Sequence, residues 1–149
     1  MRPGRIAAAF LLACLALAFP APVQANHAQR LMVEKINKVR ARNGLRPFRR
    51  SPSLTRTSSR FARWLMARDL LAHRARVSAS RRFRRLGEAL AMHTGRKPGV
   101  RGTLRAWLAS PPHRQIVLTR SMRWAGVGLS RGRFGRRRAV IWVLQTGKL

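Results

Sequence analysis

Only three acidic side chains stand against 33 lysines and arginines in this sequence, and one of them, Glu88, lies between His73 and His113 in chain order. A carboxylate and two imidazoles are the raw material of a proton relay or a divalent-metal site. Imidazole changes protonation near neutral pH, and a carboxylate can orient a ring or accept a cation. The three residues are too far apart in sequence to share one helix face, so only the fold can unite them. Other chemistry is poorly provided for. Asp69 is the only aspartate, and no serine or threonine sits in a nucleophile elbow, which argues against a Ser-His-Asp hydrolase. Gly126-Val127-Gly128 precedes no helical pattern, so it does not read as a nucleotide loop.

The elements that must carry these groups can be read in order. Ala28, Met32, Ile36 and Val39 form one apolar stripe of a helix over residues 28–43, with Asn26 as its cap and Asn43-Gly44 as its stop. Glu34 and Lys38 fall one turn apart and should pair. A second helix starts at Ser51-Pro52-Ser53, buries Leu54, Ser58, Phe61, Leu65 and then Leu70 or Leu71, and ends near Ala72-His73. Trp64 and Met66 flank its stripe, and Asp69 is expected to pair with a nearby arginine. Residues 74–86 read as an Arg- and Ser-rich loop in which Phe83 anchors to the core. A further loop runs from His93 to Arg101, with His93 a bystander. Residues 102–109 form a short helix with Leu104, Trp107 and Leu108 inward, and Ser110-Pro111-Pro112 breaks it before another short helix ending at Leu118. Residues 125–130 and Ala139–Thr146 are strands joined by a basic turn over 131–138. An antiparallel hairpin preceded by helices indicates an α+β layer structure.

These pieces carry a resemblance. Ala72-His73, Gly87-Glu88-Ala89-Leu90-Ala91, Trp107-Leu108-Ala109-Ser110-Pro111-Pro112-His113-Arg114 and Gly126-Val127-Gly128 stand in an order that resembles the CAP superfamily. The likeness is to its bacterial, SCP-like extracellular branch, relatives of plant pathogenesis-related protein 1 and the cysteine-rich secretory proteins. Asn37 to Pro47 is similar to that family's first-helix pattern. The resemblance runs from about residue 28 to the C-terminus. It implies an α-β-α sandwich with a small central antiparallel sheet, a structural hydrogen-bonding role for Asn37, and a cleft lined by His73, Glu88 and His113. Two departures matter. Ala89 stands where the family commonly has asparagine, and Ser110 stands where eukaryotic relatives place a second acid.

The N-terminus reads as an export signal over residues 1–25. Arg2 and Arg5 precede a short apolar run, and Val23-Gln24-Ala25 is a small-residue cleavage site, leaving 26–149 as the domain. Periplasm or medium is the expected destination; a lipoprotein box ending at Cys14 is a lesser alternative. With Cys14 removed, the domain has no cysteine and must be held by its core.

The formal charge of +30 implies an anionic partner, such as an envelope polymer or lipid, or a merely solvated arginine surface. No nucleic-acid module signature is present. Three functions follow from this reading. The first is an exported binding module whose cleft holds a divalent ion, Zn²⁺ by its donor set, at His73, Glu88 and His113. The second is a hydrolase that activates water at the same cleft. The third is a cationic envelope-binding protein acting through its arginines.

Overall fold

A computed structural model describes residues 23–74, 77 and 82–149. The elements follow as α1 (Val23–Arg42), β1 (Arg49–Arg50), α2 (Pro52–Ala67), β2 (Arg85–Thr94), α3 (Val100–Ala109), α4 (Pro111–Leu118), β3 (Trp124–Phe134) and β4 (Arg137–Lys148). The four-stranded sheet has the order β1-β3-β4-β2. Its three long strands are antiparallel, as expected, whereas the two-residue β1 joins β3 in parallel. The export signal lies almost wholly outside the described residues. Asn26, expected to cap the first helix, lies inside α1, whose described part begins at Val23.

Strand β4 separates two cores because its side chains alternate between the faces of the sheet. Val140, Trp142 and Leu144 join Met32 and Ile36 of α1, Leu104 and Trp107 of α3 and Val117 of α4. Ala139, Ile141 and Val143 join Phe61, Ala62 and Leu65 of α2. The result is an α-β-α sandwich, with α2 alone on one face. Gly126 and Gly128 explain how close that helix lies. A Cβ at Gly126 would fall 2.2 Å from the Leu54 carbonyl carbon, and one at Gly128 would fall 2.2 Å from the Ser58 carbonyl. The backbone of α2 therefore rests directly on β3, and the Ser58 hydroxyl donates to the Gly126 carbonyl at 3.1 Å.

Local expectations meet a mixed outcome. Asn37 is structural: its amide donates to the Phe48 carbonyl at 3.0 Å and accepts from the Phe48 N–H at 2.8 Å. Lys38 and Glu34 pair at 3.0 Å. Phe83 packs over Gly147, as its anchoring role requires.

The second helix, by contrast, ends at Ala67 rather than near His73. Leu70 and Leu71 are exposed instead of buried, because the chain turns away at Asp69, which has a left-handed φ of 49°. Among the described residues Asp69 forms no ion pair with an arginine. Its Oδ1 accepts from the Gly135 N–H in the β3–β4 turn at 2.8 Å. Residues 85–94, expected as loop and motif, form strand β2 along the sheet edge. Among the described residues no helix is long and apolar enough to cross a membrane.

One buried group went unforeseen. Arg40 is fully buried beneath α1. Its Nε donates to the Arg46 carbonyl at 3.0 Å, Nη1 to Val117 and Thr119 at 2.7 and 3.2 Å, and Nη2 to Met122 at 3.2 Å. The guanidinium also lies 3.7 Å from the Phe48 ring centroid. Burial, and then the nearby Arg123, lowers its pKa to about 10. It remains a cation at neutral pH and ties the end of α1 to the carbonyls that follow α4.

Candidate functional site

Strand β2 places Glu88 opposite Gln145 of β4. Both side chains lie toward α2 and both residues are buried. The Gln145 amide donates to Glu88 Oε2 at 3.0 Å, and Gln145 Oε1 accepts from the Thr57 hydroxyl of α2 at 2.6 Å. The other carboxylate oxygen, Oε1, lies 3.2 Å from Nδ1 of His73, in the segment following α2. A proton on Nδ1 completes this chain, so the ring donates to the carboxylate and Nε2 becomes the basic nitrogen. Burial differs sharply along the chain: the Glu88 side chain is 2% exposed and that of His73 is 54% exposed. The result is an accessible imidazole steadied by a carboxylate from within.

His113 reaches the same place from the other layer. Ser110 precedes α4, Pro111 and Pro112 open its first turn, and His113 follows them. Its ring centroid lies 6.3 Å from that of His73, with 43° between the planes. Desolvation by partial burial lowers the His113 pKa, and the neighbouring His73 ring lowers it further. Both effects favour the neutral imidazole that a metal or a general base requires.

The structure thus brings together all three residues singled out from sequence. It leaves His93 outside, with Nε2 2.9 Å from the Pro98 carbonyl. Trp107 is core, with its indole N–H bonded to the Leu90 carbonyl at 3.0 Å. Sequence reasoning missed Gln145 and Thr57. Gln145 was detectable as the polar interruption of an otherwise apolar strand; Thr57 left no signal.

The chemical capacity of this group of side chains follows from its donors. Both Glu88 oxygens are already engaged, by Gln145 and by His73, which leaves the two imidazoles to face an incoming ligand. Among the described residues no group of three or more His, Cys, Asp or Glu side chains is placed to hold a metal ion, and His73, Glu88 and His113 do not act together as three ligands. Two imidazoles on one tetrahedral zinc, with Zn–N about 2.0 Å, hold their centroids roughly 5 Å apart. The observed 6.3 Å is slightly wider, a gap that a small shift of the exposed His73 would close.

The family model described as CAP: Cysteine-rich secretory protein family matches residues 33–146. The chain belongs to this family. Solved CAP structures share its fold. An outer surface protein from Borrelia burgdorferi has a TM-score of 0.68 at 17% identity, covering 83% of this chain and 94% of that one. An extracellular SCP-domain protein from Bacillus anthracis has a TM-score of 0.66 at 17% identity, covering 83% of this chain but 41% of its own, so the CAP domain here spans less than half of that relative. Venom allergen-like protein 4 from Schistosoma mansoni has a TM-score of 0.61 at 15% identity, covering 82% of this chain and 90% of that one. At such identities the likeness speaks for the fold alone. Among curated proteins no relative matches at a significant level.

Proposed function

We propose that this chain is an exported CAP-domain binding module whose His73–His113 cleft takes a divalent cation, with zinc the best fit to two imidazoles. The observation that carries this reading is the pairing of an accessible, carboxylate-steadied His73 with a second imidazole 6.3 Å away whose pKa is lowered. In this reading His73, through Nε2, and His113 are the protein ligands. Glu88 acts behind His73, holding its tautomer and ring orientation, as carboxylates commonly do behind zinc-bound histidines. Bound zinc would supply Lewis acidity to an oxygen ligand at the open positions. Two ligands in a strongly cationic domain give weak affinity. Export is supported by the charged and apolar N-terminal sequence and by relatives described as outer-surface and extracellular.

Calorimetric titration with zinc tests the reading. The native protein should bind one equivalent, and His73→Ala or His113→Ala should abolish the heat. Glu88→Gln should weaken binding by about tenfold or more, the usual effect of removing such a partner. Equal heats in native protein and both alanine variants would sink the proposal.

A further inference from the structure

Most of the large exposed apolar side chains among the described residues lie close together in the chain. Trp64, Leu70, Leu71 and Leu149 are the large ones exposed among the described residues, at 38%, 40%, 42% and 43%. Three of them fall over residues 64–71: Trp64 in the last turn of α2, and Leu70 and Leu71 between its end and His73. Scattered exposed leucines are ordinary, but a cluster is not.

The surroundings of this cluster are cationic. Arg60, Arg63 and Arg68 are exposed on α2 and just beyond it. The Arg68 guanidinium lies 4.5 Å from the Trp64 ring centroid, and Arg74 lies 3.9 Å from that of Phe61, itself 5.8 Å from Trp64. Arg68, Trp64, the buried Phe61 and Arg74 therefore form a chain of ring and guanidinium contacts at the end of α2.

A single side-chain carboxylate lies at this face, that of Asp69, between Arg68 and Leu70. The chain has three acidic residues. Glu34 is paired with Lys38 on α1, Glu88 is buried in the cleft, and Asp69 is bonded to the Gly135 N–H. That last bond also fixes the left-handed turn presenting Leu70 and Leu71.

From these observations we infer that Trp64, Leu70 and Leu71, with the arginines around them, form a docking face for an anionic phospholipid bilayer. Leucines and an indole ring enter the headgroup boundary while guanidiniums meet lipid phosphates. This division of labour is that of interfacial membrane segments, in which apolar burial and charge act together. A dissolved polyanion would use only the arginines. Of these two, the bilayer is favoured because it also uses the leucines. His73 follows Leu71 by two residues, so docking would bring the cleft to the membrane surface. The inference does not depend on metal binding.

The test separates insertion from charge. The purified protein is sedimented with vesicles of phosphatidylcholine alone, or of phosphatidylcholine containing phosphatidylglycerol, and in parallel is bound to heparin. The native protein should bind the anionic vesicles and not the neutral ones. Leu70→Ser/Leu71→Ser leaves every charge in place. It should lower anionic-vesicle affinity roughly tenfold or more, given the apolar groups withdrawn, while heparin binding stays unchanged. Trp64→Phe supplies a second measurement: it should remove most of the vesicle-induced blue shift in tryptophan fluorescence. Unchanged vesicle affinity in the double variant, no vesicle binding by the native protein, or a blue shift that survives Trp64→Phe would each overturn the inference.

Discussion

Gln145 and Glu88 face each other across β4 and β2, and the amide of one donates to the carboxylate of the other at 3.0 Å. This contact joins the sheet to the cleft. Gln145 is fully buried, and its remaining oxygen accepts from Thr57 on α2. A polar side chain in this position keeps Glu88 satisfied on its inner side, leaving the outer oxygen for His73.

Gln145→Met should therefore cost more than its volume suggests. Methionine fits the space but leaves Glu88 Oε2 buried without a donor, a loss of about 1–3 kcal/mol. Urea denaturation should show a lower midpoint with an unchanged slope. Zinc affinity should fall as well, because the carboxylate that steadies His73 loses its own support. A variant as stable as the native protein would show that Glu88 finds water or another donor instead.

Arg40 is a second buried polar group whose removal should be felt. Four backbone carbonyls accept from it, those of Arg46, Val117, Thr119 and Met122. Arg40→Met leaves these acceptors without their donor and should destabilise by about 3 kcal/mol or more, as expected for a broken buried charged network. Arg40→Lys keeps the charge but not the planar fork, and should recover only part of that loss. Chemical denaturation of the three proteins gives the order directly: native, then lysine, then methionine. Equal stability of lysine and native forms would mean that charge alone suffices.

How legible was all this in the sequence? The α1 stripe, the β3–β4 hairpin and the grouping of His73 with Glu88 and His113 were readable. Period and motif order survive in those stretches. Strand β2 was not, because Gly87, Glu88 and alternating alanines give a weak strand signal at a sheet edge. The end of α2 was misplaced because Leu70 and Leu71 continue the apolar composition after the helix has stopped. The turn is made by a left-handed Asp69, whose partner Gly135 lies far along the chain. Arg40 holds the arginine position of the first-helix pattern that Asn37 opens, but its burial was illegible for a related reason. One arginine among so many carries no mark of burial, and its partners are carbonyls rather than acids.

The glycines of β3 offer a sharp contrast with a helical one. Gly126→Ala or Gly128→Ala would drive a methyl group into the α2 backbone, 2.2 Å from its nearest atoms. Neither helix nor strand can yield without opening a core, so each should cost about 3 kcal/mol or more. Gly102 lies within α3, and a Cβ there meets nothing within 4 Å. Gly102→Ala should instead stabilise by about 0.5–1 kcal/mol through helix propensity. Thermal melts should move down for the two strand variants and up for the helical one.

His113 sets the expected response to acid. Its pKa lies below the usual histidine value, first because it is partly buried and then because His73 stands beside it. The unfolded chain, with an ordinary histidine pKa of about 6.5, takes up that proton first as pH falls. Its contribution to stability is therefore present above about pH 6.5 and is lost on acidification through the window down to the lower folded value. Zinc binding should weaken over the same range, because the proton and the metal compete for the same nitrogen. Denaturation midpoints of native protein and His113→Gln, measured from about pH 7.5 to 5 to bracket that ordinary value, should show a native advantage that shrinks as acid is added. Zinc-induced thermal shifts of the native protein should shrink in parallel and be absent from the variant throughout. A stability difference that is constant with pH would mean that the His113 ring is as well solvated in the folded chain as in the unfolded one.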